Sequence, residues 1–153
     1  MVTLPPGAPR IACPRGKLRA HRRMAVARIA LVLASLAGFS GVALGAFGAH
    51  GLKRRLASRA DGPERLAWWQ TGAQYHLVHA LAIGLAGLRP SPMHAGSAIA
   101  PWMFLAGIVL FSGSLYTMAV TGIRKLGAVT PLGGLAFLAG WGALFWNAFK
   151  IVD

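Results

Sequence analysis

The chain has 153 residues, of which 56% are hydrophobic and 12% charged, with a formal net charge of +13. A soluble domain of this length carries about 25% charged residues, so a water-soluble globule is excluded and a single membrane-embedded domain is the natural count. The only cysteine is Cys13, so an intramolecular disulfide, dithiol redox chemistry and a cysteine-based zinc site are excluded as well.

Residues 1–23 are rich in Pro, Arg and Lys and contain no acid, which predicts a disordered basic tail. A transit peptide would be serine-rich, whereas the first serine is Ser35. A secretory signal would use Arg22, Arg23 and Arg28 with a cleavage site near Ala49, but the apolar run is longer than the roughly 7–15 residues such a signal needs. A start at Met24, just ahead of the first apolar run, is the other reading of the tail.

Residues 24–153 form the membrane domain. Four stretches, 29–52, 66–88, 90–123 and 126–149, contain no Asp, Glu, Lys or Arg. Each exceeds the roughly 20 residues that cross about 30 Å of hydrocarbon. The fold class is therefore all-α, a four-helix transmembrane bundle with spans at 28–50, 64–88, 101–121 and 131–150. Asp61-Gly62-Pro63-Glu64 opens the second helix, with proline at the first turn and an acid at the positive end of the dipole. Residues 52–60 ahead of it read as a short basic interfacial turn. Arg89-Pro90-Ser91-Pro92 and Gly96-Ser97 are loop chemistry, and Pro101 opens the third helix. Thr130-Pro131 opens the fourth, with a capping hydroxyl before proline.

The basic residues sit in the tail and connectors, where they suit anionic lipid headgroups; no compact polar domain exists to offer a basic face to nucleic acid. With the tail counted, the termini side carries about nine Lys and Arg against about seven on the other; from Met24 onward the balance is about three to seven. The bias thus depends on the start, and orientation stays open.

In the first span Ala34, Gly38, Gly41, Gly45 and Gly48 recur at spacings of four, three, four and three, and the fourth repeats the pattern with Gly133, Ala136, Gly140 and Ala143. Small residues let helix backbones approach closely in lipid. The two seams predict that the first and last helices are the central packing elements, either within one bundle or between copies in a homo-oligomer.

The second span is the most polar, with Gln70, Thr71, Gln74, Tyr75, His76 and His79. The third offers Ser112, Ser114, Tyr116 and Thr117 opposite it. Polar groups at this depth face the bundle or a water-filled cavity. The candidate polar site is therefore Gln74, Tyr75, His76, His79, Ser112, Ser114 and Tyr116. It reads as an interhelical hydrogen-bond network first, and as a proton or solute path with a titrating His79 second. Only His76 and His79 are deep, and both lie on one helix; His50 ends the first span, and His21 and His94 lie outside the spans. The three acids, Asp61, Glu64 and Asp153, are outside the spans too. Neither a metal nor a haem site is expected, and no cofactor. An intramembrane carboxylate for coupled export is lacking, as is an acid to orient a catalytic histidine.

Four motifs occur in order: Leu44 to Gly51 (LGAFGAHG), Trp69-Gln70-Thr71-Gly72 with Tyr75 and His79 to Ile83 (HALAI), Phe111 to Tyr116 (FSGSLY), and Thr130 to Gly134 (TPLGG) with Gly140-Trp141. Together they resemble the YgdD-like family of small inner-membrane proteins, a family of unknown function with eukaryotic transmembrane relatives. The resemblance covers roughly residues 24–149. It implies a four-helix, multi-pass protein of the bacterial inner (cytoplasmic) membrane, and implies no reaction. The expectation is a non-enzymatic integral membrane protein with a structural or assembly role toward lipid, a membrane-protein partner or a second copy. The alternative is a small channel or transporter with a polar path along the second helix.

Overall fold

The structure, a computed structural model, describes residues 14–88 and 99–149, with side chains over 24–148. Cys13, the side chain of His21, the loop around Arg89, His94 and Asp153 lie outside the described residues.

Four helical rods run through the molecule. The first joins α1 (Pro14–Phe47), one wide π turn at Gly48–Leu52 and α2 (Lys53–Leu56) without a break in right-handed backbone. It is helical from the first described residue, Pro14, so residues 14–23 continue the first helix where a disordered tail is expected from sequence. Lys, Leu, Arg and Ala in this stretch are good helix formers. The basic stretch after the span is likewise helical to Leu56 rather than an isolated turn. Leu52 and Leu56 anchor it by burying their side chains against Trp69.

The second rod is α3 (Gly62–Gly87), with Pro63 and Glu64 in its first turn as the sequence suggests. Gly62 is required there, because a Cβ would strike the Leu56 carbonyl oxygen. The third rod joins α4 (Ala100–Gly107), a π turn at Ile108–Ser112 and α5 (Gly113–Thr121). It stops at Gly122, whose φ of 78° is left-handed and open to glycine at little cost. A 3-10 turn at Arg124–Ala128 leads into α6 (Thr130–Phe149). Thr130 does not cap this helix. Its hydroxyl instead lies 2.8 Å from that of Ser114, tying the third and fourth rods together.

The first rod packs along the second, the second against the third, and the third against the fourth. This order corrects the expectation drawn from the glycine seams. The apolar window of the first rod is 17% buried and that of the fourth 17%, against 44% for the third. The second and third rods are the centre. The seams act as receptors on the outer rods for rings carried by the inner ones. Gly48 receives Trp69, and Gly140 receives Phe104. Gly133 lies against the main chain of Phe111, and Gly41 against Leu77 and His76. Gly38 and Gly45 meet nothing, since a Cβ at either would have no neighbour within 4 Å. Shape explains the split. A large ring needs a groove, and a helix supplies one only where the facing residue is small.

Among the described residues three helices, Met24–Leu56, Ala100–Thr121 and Arg124–Ala148, are long and apolar enough to cross a membrane. The molecule is an all-α membrane bundle of four helices.

Candidate functional site

On α3, residues Arg65, Trp69, Gly72, His76, His79 and Ile83 are all buried. Their spacings of four, three, four, three and four put them on one helix face. That face carries both histidines inward, as lipid requires of a span, while Gln70, Thr71, Gln74 and Tyr75 are exposed.

His79 sits in an aromatic box. Its ring stacks on Phe137 with centroids 3.5 Å apart and planes 10° from parallel. Phe104 lies 5.6 Å away and Trp141 6.2 Å, the latter edge-on. Both ring nitrogens are used. Nδ1 is 2.8 Å from the Tyr75 carbonyl oxygen, which can only accept, so Nδ1 carries the proton. The Trp141 indole N–H can only donate, and it reaches Nε2 at 3.2 Å, so Nε2 supplies its lone pair. The geometry selects one neutral tautomer. Protonating Nε2 would set two donors against each other.

In the sequence Trp141 stands out only beside Gly140 in the fourth motif, and nothing there signals its hydrogen bond to His79. A double-mutant cycle with His79→Phe and Trp141→Phe should return a coupling of about 1 kcal/mol in detergent unfolding, within the range measured for hydrogen bonds in one membrane protein. Additive effects would remove the bond as a feature of the bundle.

His76, nearly one turn back on the same face, joins three rods. Its Nδ1 is 3.3 Å from the Tyr116 hydroxyl on α5 and its Nε2 is 3.5 Å from the Ser40 hydroxyl on α1. Ser40 donates its one proton to main chain, to Leu36 O at 2.9 Å or Ala37 O at 3.0 Å. Ser40 can then accept from Nε2–H, which leaves Nδ1 to accept from Tyr116. His76 is thereby neutral in the opposite tautomer to His79. Trp69 adds to this cluster, its ring tilted against Tyr116 with centroids 4.5 Å apart and its indole N–H donated to Leu44 O at 2.9 Å.

Of the remaining expected residues Tyr75 joins His79, its ring stacked 6.0 Å away, and the others do not converge. Tyr75 is 42% exposed and packs on Phe111 with centroids 4.6 Å apart. Ser114 turns to Thr130 and Phe111 O, away from the histidines. The Ser112 hydroxyl is fully buried and, among the described residues, unpartnered. Gln74 points out of the bundle and belongs to no internal network. The i,i+4 step from Gln70 to Gln74 puts both on the outward face, opposite His76. The expected single polar site is thus two separate networks, because His76 and His79 lie three residues apart and face different neighbours.

Arg65 lies just ahead of the uncharged stretch 66–88, yet it is only 4% exposed. Its Nε donates to Ala119 O at 2.7 Å and one terminal nitrogen donates to Val120 O, while the other is 3.4 Å from Asp61. A cation therefore closes the C-terminal end of α5, where unpaired carbonyls and the helix dipole favour one. The signal was in the spacing, since Arg65 continues the Trp69–His76 face by one turn. Around it lies an exposed polar rim. Glu64 pairs with Arg124, and Asp61 with Arg59 at 2.9 Å. The hydrogen bond from Arg59 holds the Asp61 carboxyl below the usual carboxylate range. Its small contribution is therefore present at neutral pH and fades as pH falls through that lowered value. The Arg124 guanidinium lies 5.9 Å over Trp68, and Arg55 lies 5.9 Å over Phe47. Cations above rings at a helix end are interfacial chemistry.

Among the described residues, no three His, Cys, Asp or Glu side chains gather as a metal site.

Residues 44–134 match a family described as "Protein of unknown function (DUF423)". The chain is 42% identical over 127 residues to the UPF0382 inner membrane protein YgdD of Escherichia coli K12, covering 81% of this chain and 92% of that protein. It is 41% identical over 116 residues to the UPF0382 membrane protein YwdK of Bacillus subtilis, covering 74% and 90%. A third relative, the UPF0382 membrane protein SH2409 of Staphylococcus haemolyticus, is 38% identical over 125 residues, covering 82% and 98%. No solved structure matches. With its apolar helical rods, the chain is a multi-pass inner-membrane protein, and it belongs to the DUF423 family of membrane proteins of unknown function.

Proposed function

We propose that the protein is a non-enzymatic, four-span bundle whose work is done by its outer surfaces, in assembly with lipid or protein in the inner membrane. The observation that carries this reading is the saturation of His79, with both nitrogens bonded and one ring face covered by Phe137. A relay or catalytic base needs a partner that can exchange a proton with the ring. The Tyr75 carbonyl and the Trp141 indole N–H are not such partners, so His79 has none in this arrangement.

The second rod counts as a span in this reading although its polar residues lower its hydropathy. Its 26 residues extend about 39 Å at 1.5 Å per residue. It lies between the apolar first and third rods, and its most polar face is turned onto them. The surrounding rim of Lys53, Arg54, Arg55, Arg59, Arg124 and Lys125 supports contact with anionic headgroups.

Reconstitution into liposomes carrying an internal pH dye tests the choice. Under an imposed proton gradient, the decay should match that of protein-free liposomes. A faster decay that His79→Ala abolishes would reject this reading and favour the channel alternative.

A further inference from the structure

The outward face of α3 is chemically unlike the other lipid-facing surfaces. Thr71, Gln74, Val78, Leu81, Leu85 and Leu88 are all exposed there. Their spacings are three, four, three, four and three, the repeat of a left-handed coiled-coil seam. Gln70 flanks the seam and is exposed too. Neither glutamine amide makes a side-chain hydrogen bond to any described residue. Gln74 lies nine residues beyond Arg65, about 14 Å deeper along the axis, and so near the middle of a span about 30 Å thick. An amide facing hydrocarbon there is costly unless another chain satisfies it.

We propose that this face pairs with the same face of a second copy, forming a two-fold dimer about an axis along the membrane normal. The proposal rests on the second rod being a span. Three features select a second copy over another partner. A carboxamide both donates and accepts, so Gln74 is complementary to itself. Two copies inserted with the same orientation put identical residues at identical depth, which is the condition for an isologous contact. The seam from Thr71 to Leu88 holds no charged residue, so nothing in it repels its own image. Val78, Leu81, Leu85 and Leu88 supply the knobs for such packing, and the polar layer at Thr71 and Gln74 sets the register. Gly41, Gly48, Gly133 and Gly140 do not compete for this role, because they are already filled from within.

Cysteine cross-linking of the full chain in liposomes tests the pairing, in a Cys13→Ser background. Oxidation should join Gln74→Cys and Leu81→Cys into dimers. It should not join Leu36→Cys on the first rod or Leu138→Cys on the fourth, which are 63% and 69% exposed as leucines. Gln74→Leu in an otherwise unaltered chain should weaken dimerisation about tenfold on dilution in lipid, read by energy transfer between labelled copies.

Equal cross-linking at all four sites, or none at positions 74 and 81, would each overturn the dimer. A membrane-impermeant maleimide separates this failure from that of the four-span reading. If Gln74→Cys resists the reagent from both sides and still fails to cross-link, the span stands and the dimer falls. If the reagent labels it, the second rod is not a span and both fall.

Discussion

Gly133→Ala is expected to destabilise the bundle by about 3 kcal/mol, the upper end of the usual cost of overpacking, while Gly134→Ala one position on leaves it unharmed. A Cβ at Gly133 would lie 2.8 Å from the Phe111 Cα and closer still to its amide nitrogen. These are main-chain atoms in a π turn, and they cannot move aside as a side-chain tip can. At Gly134 a Cβ meets nothing within 4 Å. There alanine should help slightly, since glycine costs about 1 kcal/mol in a helix interior. Reversible unfolding in mixed micelles would measure both. Equal stability of the two variants would mean that the fourth rod does not approach the third as closely as described.

Arg65→Met should cost about 3 kcal/mol, because hydrogen bonds to charged groups are worth roughly 1.5–3 kcal/mol each and two are lost. Methionine keeps the apolar stem and leaves Ala119 O and Val120 O without their donor. The guanidinium also packs on the left-handed turn at Gly122, where a Cβ would lie 3.3 Å from it. Lysine should recover part of the loss, since one ammonium can reach one carbonyl but lacks the planar fork that serves two. Hydrogen exchange gives the local readout, with amides at the end of α5 opening earlier in Arg65→Met than in wild type. Unchanged protection there would leave Arg65 as an ordinary interfacial cation.

The two sites differ in how far they could be read from the chain. Pro63, Pro101 and Pro131 mark helix starts through local chemistry alone, and the helices begin within a residue of them. The depth and burial of His76 and His79 also follow locally, since lipid drives polar groups inward whatever the neighbours are. Their partners do not. Trp141 is 62 positions from His79, and Ser40 is 36 from His76. Ser40, Trp141 and Thr130 look ordinary in sequence, because what each does depends on which helix stands beside it. The glycine seams mislead for a related reason. Small residues show where a helix can be approached, but whether the approaching group is a backbone or a Trp69 ring depends on the other helix.

The sequence by itself determined the class of this molecule, the starts of its last three rods and the exclusion of an acid or a cysteine cluster from its spans. Each of these is a matter of composition or of contacts within a few residues, and the bilayer imposes it on any chain of this pattern. Only the tertiary structure decided which rods are central, how the two histidines are tautomerically fixed, that Arg65 closes another helix, and that Gln74 is turned away from the core. Those outcomes depend on rotation of each helix about its axis. Rotation is set by the fit of large rings into glycine grooves on neighbouring rods, and the periodicity of one helix carries no information about the shape of the next.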